Sequence, residues 1–165
     1  MLYFAYGSNM CAGRLQARVP SASFVKIAKL AWHSFRFHKK SLDQSAKADA
    51  FETGGPGDII WGAIFDIANA EKPLLDIAEG LGRGYNERIV IAIDDSGCQH
   101  RAFLYYADAE SIDTSLLPYS WYKRFVVEGA RQHSLPTEYI RAILAMPEME
   151  DPNEERDRLN RSITC

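Results

Sequence analysis

Apolar and polar positions alternate between strand-like and helix-like rhythms along the chain. Leu2–Tyr6 is a short apolar and aromatic run broken by Gly7-Ser8-Asn9, which predicts a strand feeding a turn. Met10–Arg18 suits a short helix capped by Ser8 or Asn9 and ended by Pro20. Between Phe24 and Phe37 apolar residues recur in places at period two. The slip from Trp32 to Phe35 predicts a bulge in one long, half-exposed strand. Residues 39–58 read as a loop region holding a short strand near Ala48–Glu52. Ile59–Ile67 reads as a buried strand. A helix follows over Asn69–Ala78, with Asn69 as its cap and Leu74, Leu75 and Ile77 or Ala78 turned inward. Tyr85–Asp94 and Cys98–Ala107, joined by Asp95-Ser96-Gly97, predict a hairpin. Ser120 caps a helix reaching about Gln132. Pro136 starts another, with Tyr139, Ile143 and Leu144 on its apolar face. Pro147–Cys165 carries nine charges and little apolar content, as a solvated helix or a frayed tail would.

Strands mostly precede helices, and the hairpin signals are antiparallel. The order predicts an α+β fold: a small mixed, mainly antiparallel curved sheet or barrel with flanking helices. Residues 1–146 form the expected domain and 147–165 a charged tail. Gly80-x-Gly82-x-Gly84 precedes a strand and not a helix, the wrong context for binding a pyrophosphate.

Composition narrows the function. At 165 residues there is room for one domain, and 47% apolar content excludes a disordered chain. A net charge of −3 argues against a nucleic-acid binder held by phosphate neutralisation. The charge is uneven, with eight Lys and Arg against two Asp and Glu in residues 1–50. Such a bias either receives an anionic small molecule or pairs within the fold. Cys11, Cys98 and Cys165 are odd in number and lack metal-ligand spacing, which disfavours a disulfide framework and a zinc site. No apolar run is long enough for a membrane span, and the expected location is the cytoplasm.

Two places carry chemistry. A glycine after an aromatic strand, followed by Ser8 and Asn9, presents backbone amides to a carboxylate or oxyanion. Glu79 lies at the C-terminal end of a helix, where the dipole disfavours a carboxylate. Burial there would add to the dipole in raising its pKa toward acid–base use. Weaker candidates are Arg83 beside Glu79, one of Tyr105 and Tyr106, and a Cys/His hydrolase built on Cys11 with His33 or His38. His100 and His133 read as ordinary structural residues.

The segments LYFAYGSNM and LLDIAEGLGRGY together resemble the gamma-glutamylcyclotransferase-like superfamily. Trp61–Phe65, Tyr122-Lys123, Gly129-Ala130 and Leu135-Pro136-x-Glu138-Tyr139 extend the resemblance over residues 1–145. The loop from Glu79 to Tyr85 is one residue shorter than in the vertebrate form. The resemblance implies a small mixed barrel and Glu79 as the catalytic acid/base. Tyr6, Gly7, Ser8, Asn9 and Met10 would then meet the substrate, with Tyr85 and Tyr122. It implies cyclisation of a gamma-glutamyl compound to 5-oxoproline without metal or cofactor, glutathione belonging with another branch. The expected partner is that small molecule and neither nucleic acid nor membrane; a homodimer stays open. The alternative is a non-catalytic member of the fold that binds a ligand or a protein.

Overall fold

A computed structural model describes residues 1–165. Strand β1 (Leu2–Ala5) runs into a 3-10 turn at Ser8–Met10 and helix α1 (Ala12–Gln16). Four strands follow: β2 (Ser23–Ala31), β3 (His33–Lys40), β4 (Ala46–Glu52) and β5 (Ile59–Asp66). Helix α2 (Lys72–Glu79) leads to β6 (Tyr85–Asp94) and β7 (Gln99–Ala107), then α3 (Ser120–Gln132), α4 (Thr137–Ala145) and α5 (Glu154–Arg161). Five strands close a barrel in the order β1-β5-β2-β6-β7, while β3 and β4 pair as a separate ribbon. Neighbours in the barrel are antiparallel, except that β1 meets β7 in parallel at Tyr3 and Phe103. Both faces of these strands are covered, with Phe4, Ile60, Ile64 and Leu104 on one and Phe65, Phe103 and Tyr105 on the other, all essentially sealed from solvent.

Helix α3 fixes the turn after β1. Nine of its thirteen residues are buried, and Gly129 is where it comes closest. A Cβ at Gly129 would stand 2.5 Å from the Cys11 amide nitrogen and the Met10 carbonyl carbon, so only glycine lets the helix lie against the chain there. His133 at the helix end donates through Nε2–H to the Met10 carbonyl, 2.8 Å away.

Several local expectations differ from the fold. The predicted long strand over Phe24–Phe37 is two strands in two sheets. Trp32, with φ of +62°, turns the chain between them, so the broken alternation marks a change of sheet and not a bulge. Neither Ser8, Asn9 nor Ser120 caps a helix with its side chain. Asn69 opens a 3-10 turn, again without a side-chain cap, and α2 starts at Lys72. Only Leu75 of α2 is buried; Leu74 and Ile77 are exposed, because the helix meets the barrel along one narrow line. Leu144 of α4 is also exposed, while Ile143 is buried.

Cys11 and Cys165 form a disulfide, against the expectation drawn from an odd cysteine count; Cys98 is the exposed remainder. A pairing across 154 residues leaves no spacing signature to read. The last nineteen residues lie along α3. Asn153 caps α5 by accepting from the Arg156 amide, and Arg124 donates to the carbonyls of Asn160, Arg161 and Ile163. No helix is long and apolar enough to cross a membrane.

Candidate active site

A small cavity opens at the end of the barrel where the turn after β1 faces the end of α2. Its walls are Gly7, Ser8 and Asn9 of the turn, Ala48 of β4, Glu79, and five tyrosines: Tyr3, Tyr6, Tyr85, Tyr105 and Tyr122. The local sequence accounts for this convergence. Met10 and Cys11 amides turn back to the carbonyls of Gly7 and Ser8, so the three amides before them have no partner within the turn. Leu75 and Glu79 are four residues apart on α2 and share a face; with Leu75 anchored in the core, Glu79 reaches the same end of the barrel. Gly80, at φ +73°, ends the helix in the left-handed region, and its amide bonds to the carbonyls of Asp76 and Ile77.

Glu79 is held through one oxygen. Its Oε1 accepts from Asn9 Nδ2 at 3.0 Å and from Arg18 Nη1 at 2.6 Å, and the same Arg18 nitrogen donates to Asn9 Oδ1 at 2.8 Å. Oε2 makes no hydrogen bond within the chain. The carboxylate retains 17% exposure, all that the cavity and its mouth allow. Asn9 uses its second amide hydrogen on the Tyr3 hydroxyl at 3.0 Å, so the expected capping residue is instead the bridge between two halves of the site. Arg18 neutralises the charge that the helix dipole and burial oppose.

Burial is the main cause that pushes all five tyrosine hydroxyls above their ordinary pKa, so each is a neutral hydroxyl at any working pH. Most have their hydrogen committed. Tyr6 donates to the Tyr105 carbonyl, Tyr85 to the Ala48 carbonyl at 2.5 Å, and Tyr105 to Asp76 Oδ1 at 2.6 Å. Tyr3 and Tyr122 are different: the Tyr3 oxygen accepts from Asn9 and the Tyr122 oxygen from the Ala48 amide at 3.1 Å, and neither hydroxyl donates within the chain.

Of the sequence candidates, Glu79, Tyr6, Gly7, Ser8, Asn9, Tyr85 and Tyr122 meet around this one cavity. Met10 does not. Its side chain is fully buried beneath α3, because the turn that presents Gly7–Asn9 points the next residue into the core. Of the tyrosine pair, Tyr105 faces the cavity and Tyr106 stacks under the Arg88 guanidinium on the other face of β7. Arg83 is exposed and makes no ion pair with Glu79. A Cys/His hydrolase is excluded: Cys11 is in a disulfide, His38 is paired to Asp49, and His33 Nδ1 is bonded to the Ala31 carbonyl. Sequence reasoning missed Arg18 and Tyr3. Tyr3 shares the inward phase of β1 with the core and reads as packing. Arg18 reads as the basic end of a short helix, and nothing in its spacing joins it to a residue 61 positions away.

The model of the AIG2-like family matches residues 59–143, more than half the chain. The chain belongs to the AIG2-like family. Within it, the gamma-glutamylcyclotransferase-like superfamily expected from the two motifs is the right placement. This AIG2-like chain is 28% identical over 169 residues to the gamma-glutamylcyclotransferase of Bos taurus, covering 98% of this chain and 85% of that protein. It is 29% identical over 164 residues to the enzyme of the same name from Mus musculus, covering 96% and 83%. A solved gamma-glutamyl cyclotransferase structure superposes with a TM-score of 0.86 at 26% identity, over 98% of both chains. The fold expected for the superfamily, a mixed closed barrel with flanking helices, is the fold observed.

Proposed function

We propose that this AIG2-like chain is a gamma-glutamylcyclotransferase that closes a gamma-glutamyl group into 5-oxoproline and releases the attached amine, with Glu79 as acid and base. The observation that carries the reading is the half-committed Glu79 carboxylate. One oxygen is tied to Asn9 and Arg18, while the other is unbonded in a group that lines both the cavity and its mouth. A Glu79 turned to bulk solvent would instead have suited the binding-module alternative. The full-length likeness to proteins named gamma-glutamylcyclotransferase supports the same reading.

The substrate supplies its own nucleophile. Its α-amine attacks the γ-carbonyl, a C–N bond forms in a five-membered ring, and the original amide C–N bond breaks. Holding the chain folded back makes this attack intramolecular, worth effective molarities of about 10⁵–10⁸ M in well-oriented cases. The amine is mostly an ammonium at neutral pH, so a base must take its proton first. One ammonium proton is lost to solvent before attack; the attacking nitrogen then gives a second to Glu79 Oε2, which passes it to the departing nitrogen, and that nitrogen leaves as a neutral amine. The amides of Gly7, Ser8 and Asn9 receive the glutamyl carboxylate or the oxyanion of the tetrahedral intermediate. Tyr122 donates its free hydrogen to the same end of the substrate, and Tyr85 and Tyr6 shape the wall. No step asks for a metal or a cofactor.

The test is release of 5-oxoproline, followed by mass spectrometry, from a panel of gamma-glutamyl amino acids and amines. Release by the native protein and not by a folded Glu79→Gln variant is the expected result. Equal release by both would sink the role given to Glu79, and silence from both would sink the activity.

A further inference from the structure

A second depression, of about 110 Å³, joins the cavity at its mouth through Ser8, Glu79, Tyr85 and Tyr122. Four cationic side chains line it: Arg14, Arg18, Lys39 and Lys47. Two are already neutralised, Arg18 by Glu79 and Lys47 by Asp43. The other two have no carboxylate. Lys39 is only 8% exposed, yet its ammonium makes neither an ion pair nor a hydrogen bond, and lies 4.7 Å from the centre of the Tyr85 ring. Arg14 forms no ion pair; its guanidinium stacks on Phe125, and its Nε is buried without an acceptor.

The chain places Lys39 there by an irregularity. The β3–β4 register shifts between Phe37 and Lys39, so His38 and Lys39 both turn inward. His38 meets Asp49, and Lys39 is carried to the mouth of the cavity. Gly84, in the loop after α2, leaves the room: a Cβ there would stand 2.9 Å from the Lys39 ammonium. Burial lowers the pKa of both groups, that of Arg14 to about 10, so desolvation opposes the positive charge at each. A partly desolvated cation without a counter-ion is costly, and an arriving anion reduces that cost.

We infer that Arg14 and Lys39 form an anion subsite for a leaving group carrying two negative charges, so that the preferred gamma-glutamyl substrate ends in a dicarboxylic amino acid or a phosphorylated amine. The inference rests on the cyclotransferase reading for which part of the substrate lies where. The closed cavity, with the loop amides and tyrosines, takes the glutamyl end that must fold back. The open, cationic side of Glu79 takes the amine that must depart. An uncharged amine would leave both cations unpaired, and a neutral amino acid would leave one.

Two measurements test this together. In the first, native protein is titrated calorimetrically with L-glutamate and L-glutamine, then with O-phosphoethanolamine and ethanolamine. Each pair differs in its anionic group, and one restored charge-assisted contact is worth about tenfold or more in affinity. The expected result is at least that preference for the charged member, collapsing toward one in Lys39→Met and Arg14→Gln and kept in Lys39→Arg. The larger of the two preferences says whether carboxylate or phosphate is the better occupant. Equal binding within both pairs, or a preference that survives both neutralising variants, overturns the subsite. In the second, kcat/KM is compared for gamma-glutamyl-glutamate and gamma-glutamyl-glutamine. A ratio near one overturns the subsite and leaves the cyclotransferase reading intact. No 5-oxoproline from either, alongside discriminating titrations, overturns that reading and supports the subsite.

Discussion

Two arginine–carboxylate pairs in this molecule are built differently. Arg156 grips Asp151 with both oxygens: Nε donates to Oδ2 and Nη2 to Oδ1, each at 2.6 Å. Trp121 Nε1 adds a bond to Oδ2 and the Asn153 amide one to Oδ1, so the buried Asp151 has both oxygens doubly bonded. Arg18 touches only Oε1 of Glu79, and the second oxygen is left beside a cavity. The first arrangement braces residues 151–156 and, through the Trp121 bond, latches the tail to α3. The second orients a carboxylate without using it up. A fully satisfied carboxylate has no lone pair left for a proton in transit, whereas a half-satisfied one is both fixed and available.

Removing the available oxygen should give the largest effect. Glu79→Gln is expected to fold with a native melting profile and to lose about 10²–10⁴-fold in kcat or more. Retention of most activity on a confirmed substrate would remove the distinction between the two pairs. Next in size is the covalent partner of the latch. Reduction of Cys11–Cys165, or Cys165→Ser, should lower unfolding free energy by about 2–4 kcal/mol, read by denaturant titration with and without reductant. An unchanged midpoint would mean that the polar contacts of the tail suffice alone.

Arg18→Met should act on chemistry more than on binding. Glu79 keeps its bond to Asn9 but loses the contact that fixes its direction, and misplacement of this kind costs up to about 100-fold in rate. A fall in kcat with KM nearly unchanged is expected; a rise in KM alone would instead make Arg18 a substrate contact. Asp151→Asn should do the reverse, costing about 1–3 kcal/mol of stability with turnover retained, because the cavity has no residue from the tail. The smallest effect is a titration. Arg156 holds the Asp151 pKa at about 2, below its ordinary 3.8. A depressed carboxyl pKa stabilises the fold fully above about pH 4 and loses that contribution as pH falls through about 2. Trp121 fluorescence should change across this window in the native protein and not in Asp151→Asn.

Much of this was legible beforehand, and for an identifiable reason. Strands β1, β5 and β7 are legible as short apolar runs because both of their faces are covered, β6 alternates over part of its length, and the Asp95-Ser96-Gly97 turn fixes its hairpin. The Glu79 and Tyr6–Asn9 pieces could be found because each is a local pattern ended by glycine or begun by it. What escaped depends on meetings at long range. Trp32 reverses the chain with no glycine to announce it, Cys11 finds Cys165, and Arg18 finds Glu79. Caps assigned from residue type failed where a better partner existed: Asn9 gives its side-chain amide to Glu79 and Tyr3 instead of to a helix end.

The parallel seam between β1 and β7 bears on how the protein becomes competent. Tyr3 meets Phe103 there, the Tyr6 hydroxyl crosses to the Tyr105 carbonyl, and Tyr3 and Tyr105 both wall the cavity. These partners are about a hundred residues apart in the chain, and contacts of that span are slow to form because the intervening loop must close first. The hairpin of β6 and β7 and the helix α3 need no such closure. On dilution from denaturant, the circular-dichroism signal should therefore return before turnover does, with activity marking the moment the barrel shuts.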